Sequence, residues 1–154
     1  MNTTLFRTRV AVLWVAVAIA VSGSLLLYVF VPGAAEQLVA GEMEGEVLTD
    51  GVGFFFATLA IIPLVMAAVS LLVGVRANRA LNLIAGLAFG LFGVYAVTSH
   101  LLAGDFNGHG LMAALAAALA FLIAGLGLAE RRRPLSDTAA RLDEQRRSRE
   151  HATV

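Results

Sequence analysis

Hydrophobic and polar positions in this chain fall into long blocks rather than alternating faces. The apolar runs extend from Val10 to Val31, Val52 to Val73, Leu83 to Ala103 and Leu111 to Ala129, and none contains lysine, arginine, aspartate or glutamate. Each run is about 19–22 residues, which at 1.5 Å per residue is roughly 30 Å, the thickness of a bilayer's hydrocarbon core. Four such runs predict an all-α transmembrane four-helix bundle. Hydrocarbon offers a backbone no hydrogen-bonding partner, so a spanning segment that pairs all its own groups must be a helix. The first run follows Arg7 and Arg9, as a signal peptide's apolar region would. At about 22 residues it exceeds the usual 7–15, so it reads as an uncleaved helix.

Charge placement orients the bundle. Arg7 and Arg9 precede the first run, Arg76 and Arg79 lie between the second and third, and Arg131, Arg132 and Arg133 follow the fourth. The other two connections hold no arginine and carry Glu36, Glu42, Glu44, Glu46, Asp50 and Asp105. Basic residues stay on the cytoplasmic side, so both termini and the 75–79 turn are expected there (N-in, C-in). Residues 1–130 form the membrane domain, and 131–154 form a charged cytoplasmic tail. There Ser136 is placed to cap a short helix running through Ala139 and Leu142. In the long outer connection, Ala34 to Ala40 suits a short surface helix, with Leu38 and Val39 dipping into the interface and Gly41 and Gly45 ending it.

Composition narrows the chemistry. The chain of 154 residues is 59% hydrophobic and 14% charged, has no net charge and contains no cysteine. Disulfides, thiolate metal sites and cysteine nucleophiles are thereby excluded, and there is no electrostatic case for nucleic acid. All basic residues are arginine, which points to a high-GC genome such as an actinobacterium's. No phosphate-binding glycine loop or Ser-His-Asp pattern is present, and no ionisable group sits in mid-membrane as proton-coupled transporters require. No cofactor is expected, and an enzyme is the least favoured class.

The uncharged features within the runs remain. Gly86 and Gly90 form a small-x-x-x-small pair extended by Gly93, and the fourth run is alanine-rich. Such surfaces let helices approach closely, either within one bundle or between subunits. Pro63 removes a hydrogen bond in the second run, with Thr58 and Ser70 near enough to help satisfy the loosened backbone. Asn78 is placed to cap the third helix. Asn82, a turn further in, must find a partner on another helix or a loop. Arg79 completes this polar group. At the outer side, His100, Asp105 and His109 are weak candidates for a divalent metal. Their spacing matches no defined motif, so ordinary interfacial polarity is the preferred reading.

The order of several short stretches resembles an uncharacterised family of small bacterial four-helix integral membrane proteins, a domain of unknown function. They are Ala11 to Trp14, Val31 to Gly33, Gly41 to Met43, Ile61 to Pro63 and, most specifically, Ala77 to Gly86 with its Asn78-Arg79 and Asn82. The resemblance spans about residues 9–129; it implies the fold and no activity.

Three functions stay open. The first is a non-enzymatic bacterial inner-membrane protein that packs by its small-residue faces, on itself or as an accessory to another membrane subunit. The second is a small transporter or channel with a path beside Pro63 and polar stations at Asn82 and Thr98 to His100. The third is a lipid or ligand binder with a pocket among Trp14, Tyr28, Phe54 to Phe56 and Tyr95. The lack of native cysteine makes the topology directly testable. A cysteine placed at Gln37 is expected to react with an impermeant maleimide on intact cells. One at Ala77 should react only after lysis, and the reverse pattern would invert the orientation.

Overall fold

The computed structural model describes residues 3–43, 46–104 and 106–132. Four long helices run up and down: α1 (Thr3–Tyr28), α3 (Asp50–Leu72), α4 (Val75–Ala103) and α5 (Gly108–Arg132). All four are long and apolar enough to cross a membrane. Between α1 and α3 lie a short helix α2 (Ala34–Val39) and a small hairpin of β1 (Glu42–Met43) and β2 (Glu46–Val47). The start of α1, the α3–α4 turn and the end of α5 gather at one end, the arginine end. The outer connections gather at the other, the histidine end.

Each helix begins before its apolar run, because backbone hydrogen bonding extends into the polar zone as far as a cap allows. The helix α3 begins at Asp50 because Thr49 caps it, its hydroxyl accepting from the Val52 N–H at 3.4 Å. For α4 the start is eight residues earlier than the apolar run, with only Val73 and Gly74 separating it from α3. Asn78 is therefore not an N-cap. It lies inside the first turn of α4, its own N–H bonded to the Gly74 carbonyl at 2.9 Å. At the far end of α4, Gly104 takes φ 73°, a left-handed cap that glycine adopts without strain. The Asn107 side chain caps α5, accepting from the N–H of His109 at 2.9 Å. The short α2 ends at Gly41, as expected, whereas Gly45 and the tail helix after Ser136 lie outside the described residues.

The buried face of α1 runs through Phe6, Val10, Trp14, Val17, Ser24 and Tyr28, and packs on both α3 and α5. That of α4 is built without large apolar side chains: Asn78, Asn82, Gly86, Gly90, Gly93 and His100. Its glycines bring α4 against α5. A Cβ at Gly86 would lie 2.7 Å from the Ala120 carbonyl oxygen and 2.9 Å from the Ala124 nitrogen, and one at Gly93 would lie 2.6 Å from the Ala117 Cβ. At Gly90 the obstacle is the Phe121 ring, which can turn aside. The small-residue face thus acts within one chain, and the alanines of α5 that answer it, Ala116, Ala117, Ala120 and Ala124, are buried. By contrast, α3 rests on α1 and touches α4 only sparsely.

Because a side chain at Gly86 meets fixed backbone, Gly86→Val is expected to cost about 1–3 kcal/mol, the usual range for overpacking. Gly125 has open space around it, so Gly125→Ala should be neutral or stabilising by up to about 1 kcal/mol through helix propensity. Detergent-denaturation midpoints of the two variants would show the contrast, and equal midpoints would refute the packing argument.

Candidate ligand-binding site

At the arginine end the polar residues close on one another. The Asn82 side chain is fully buried. Its Oδ1 accepts from the Trp14 indole N–H and, at 3.2 Å, from the Ser70 hydroxyl. Its amide nitrogen donates to the Asn78 backbone carbonyl at 2.7 Å and also to the Asn78 side-chain oxygen. Asn78 in turn donates to the Ser70 carbonyl at 2.8 Å. That carbonyl belongs to the last turn of α3, where no helical partner remains, so Asn78 supplies the missing donor from α4. The node joins α1, α3 and α4 and leaves Asn82 no capacity for a passing solute. Ser70, expected to help with the proline defect, is committed here. Pro63 is buried within an unbroken α3, and Arg79 is half-buried with its carbonyl beneath Gly127.

At the histidine end the helices enclose space. A cavity of about 350 Å³ lies between α3 and α4, backed by α1 and α5. Its walls include Phe55, Phe56, Leu59, Phe89 and Phe92, and its polar edge is formed by Ser24, Ser99, His100 and His109. Phe55, Phe92 and Tyr95 line it while remaining partly exposed, so it opens sideways between α3 and α4. A second cavity of about 340 Å³ lies beneath α2, lined by Tyr28, Gln37, Asn107 and, shared with the first, Ser99, His100 and His109. Neither Pro63 nor Asn82 lines either space. The polar positions considered for a transport path therefore sit at opposite ends of the bundle.

The two histidines line both spaces. Their rings meet edge-on with centroids 4.8 Å apart, and the His109 ring also packs edge-on to Tyr28 at 5.7 Å. His100 is 9% exposed, far drier than an interfacial histidine should be. The His109 Nδ1 lies 2.7 Å from the Ser24 backbone carbonyl and 2.8 Å from the Ser24 hydroxyl. A carbonyl only accepts, so this nitrogen carries a proton and donates. The Ser24 hydroxyl donates to the His109 carbonyl at 3.1 Å. His109 is thus no general base toward Ser24, despite the short distance, and the pair fastens α1 to α5. Tyr28 donates to Gln37 at 2.9 Å and holds α2 over the second cavity.

His100 and His109 therefore come together, while Asp105 lies outside the described residues. Among those residues no group of three or more histidine, cysteine or acidic side chains could hold a metal ion. Of the pocket expected from the aromatics, Phe55, Phe56 and Tyr95 line the first cavity and Tyr28 the second. Phe54 is 75% exposed and Trp14 is buried in the core, its ring edge-on to Phe89 at 5.7 Å. Ser24 and Gln37 were not legible as site residues. A serine inside an apolar helix and a glutamine on a short surface helix carry no signal until the chain folds.

These features define an integral membrane protein whose described residues form a four-helix bundle with an aromatic cavity at one end. No family model matches the chain, and neither a curated protein nor a solved structure does.

Replacing Asn82 by leucine would strand the Trp14 N–H and the Ser70 hydroxyl in a dry site. It is expected to cost about 1–3 kcal/mol and to shift the emission of this single tryptophan to shorter wavelength. Ser70→Ala, which removes one donor and keeps the carbonyl capped, should cost about 0.5–1 kcal/mol. Chemical unfolding with fluorescence detection would measure both, and a silent Asn82→Leu would remove the node's structural role.

Proposed function

We propose that this chain is a non-enzymatic membrane protein that holds a small, membrane-dissolved ligand in the aromatic cavity at its histidine end. The observation that carries this reading is the cavity of about 350 Å³, walled by phenylalanines, bounded by buried polar groups and open sideways between α3 and α4. Ligand sites are typically concave, mostly apolar and equipped with a few fixed polar groups. The lateral opening faces hydrocarbon, so a ligand can enter from the bilayer without crossing water. By the distribution of arginine this reading puts the site on the extracytoplasmic side of a bacterial inner membrane. The sequence resemblance to a small-membrane-protein family is compatible with this reading and adds no activity to it.

Self-association or an accessory role draws less support. The glycines that motivated it are spent between α4 and α5, leaving the outward face of α3 (Phe54, Ile61, Leu64, Leu72), which lipid covers equally well. A transport path has a polar pocket at one end and a saturated hydrogen-bond node at the other.

Native mass spectrometry of protein released from its own membranes in mild detergent tests the reading. The wild type is expected to retain one lipid-soluble adduct per chain. Ala96 lines the cavity, so Ala96→Phe should reduce that occupancy at least tenfold while leaving the thermal midpoint nearly unchanged. Leu59→Phe, also at the wall, provides a second filling variant should the first misfold. A wild type that carries nothing, or filled variants that bind as well, would defeat it.

A further inference from the structure

We infer that the ligand is an uncharged amphiphile whose hydroxyl or carbonyl head occupies the cavity beneath α2 and whose apolar part lies in the aromatic cavity. This rests on the proposed ligand-binding role and specifies its chemistry. The two cavities meet at the same three residues, Ser99, His100 and His109. One is walled by aromatic rings and opens toward lipid. The other offers hydroxyl, amide and imidazole groups from Tyr28, Gln37, Ser99, Asn107 and His109. Two adjoining spaces of opposite polarity match one molecule with an apolar body and a polar head, oriented as a lipid of the outer leaflet is.

The head's charge follows from what surrounds it. Among the described residues, no arginine, lysine, aspartate or glutamate lines either cavity. A phosphate head would leave water for a site with no arginine or lysine among its described lining residues, a poorly compensated burial of charge. It would also approach through acidic surroundings. Glu36 is next to the lining residue Gln37, and Glu42 is next to Met43, which lines the aromatic cavity. The outer connections hold further acids and no basic residue. A cationic head would be drawn to this rim but would find no carboxylate among the described lining residues. Neutral donors and acceptors suit a neutral head, as in a monoacylglycerol, a lipid alcohol or a quinone.

Trp14 provides the readout. It is the only tryptophan and packs edge-on against Phe89, a residue of the cavity wall. Protein in nanodiscs of unbrominated lipid would be titrated with three probes sharing one dibrominated acyl chain. They are a monoacylglycerol, the corresponding lysophosphatidic acid and the choline ester. The monoacylglycerol is expected to quench Trp14 saturably, with an apparent affinity at least tenfold above the other two and with quenching lost in Ala96→Phe. Ser99 borders both spaces, so Ser99→Arg should supply the missing cation and shift preference toward the phosphate probe at least tenfold. Equal quenching by all three probes, or preference of the wild type for either charged one, overturns the neutral-head inference while leaving a ligand cavity. The absence of saturable quenching by any probe overturns both readings.

Discussion

The bundle depends on one buried amide. Asn82 sits in a region that hydrocarbon and packed helices keep dry, so each of its polar groups must be answered by protein. Trp14 from α1, Ser70 from α3 and Asn78 from α4 answer it together. In a membrane there is no hydrophobic drive between helices, since lipid tails are as apolar as leucine. Such hydrogen bonds and close backbone approach are what remain to decide which helices touch. The node pins the end of α3 to α4 beside their two-residue turn and fixes the indole of Trp14 as a central post.

The consequences run along the helix axes. Beyond the node, α4 lies against α5 through Gly86 and Gly93, so closely that a methyl group would collide with main-chain or alanine atoms. No matching small-residue contact draws α3 toward α4. Tied at one end by hydrogen bonds and supported along α1, α3 leaves a gap on its α4 side at the other end. Phenylalanines from both helices line that gap without filling it. The cavity is the geometrical complement of the tight α4–α5 seam and the node. The histidine pair is held from the other side, because the Ser24 and His109 groups bond α1 to the capped start of α5.

Saturated polar groups and polar groups that line a cavity thus occupy different ends. At the arginine end the polar groups satisfy one another and their role is to fix helix register. At the histidine end, polar groups border space. Serine and asparagine serve both ends, and what separates their roles is whether neighbouring helices meet there or diverge.

The sequence alone determined the solvent, the number of spans and which connections share a side, because apolar length and arginine placement are one-dimensional properties. It also marked Asn82 as a residue needing a distant partner, and it marked the spacing of Gly86, Gly90 and Gly93. It did not mark which face of each helix turns inward. In lipid both faces are apolar, so no amphipathic pattern distinguishes core from surface, and Trp14, buried in the core, was expected among the walls of a pocket. Helix ends were misplaced for a related reason: caps such as Thr49 and Asn107 lie in polar connections beyond the apolar runs. Only the tertiary structure joined His100 to His109, and Ser24 to both the cavity and the start of α5. Those encounters depend on how α1, α4 and α5 meet at that end, an arrangement set by packing between helices and written in no single segment of the chain.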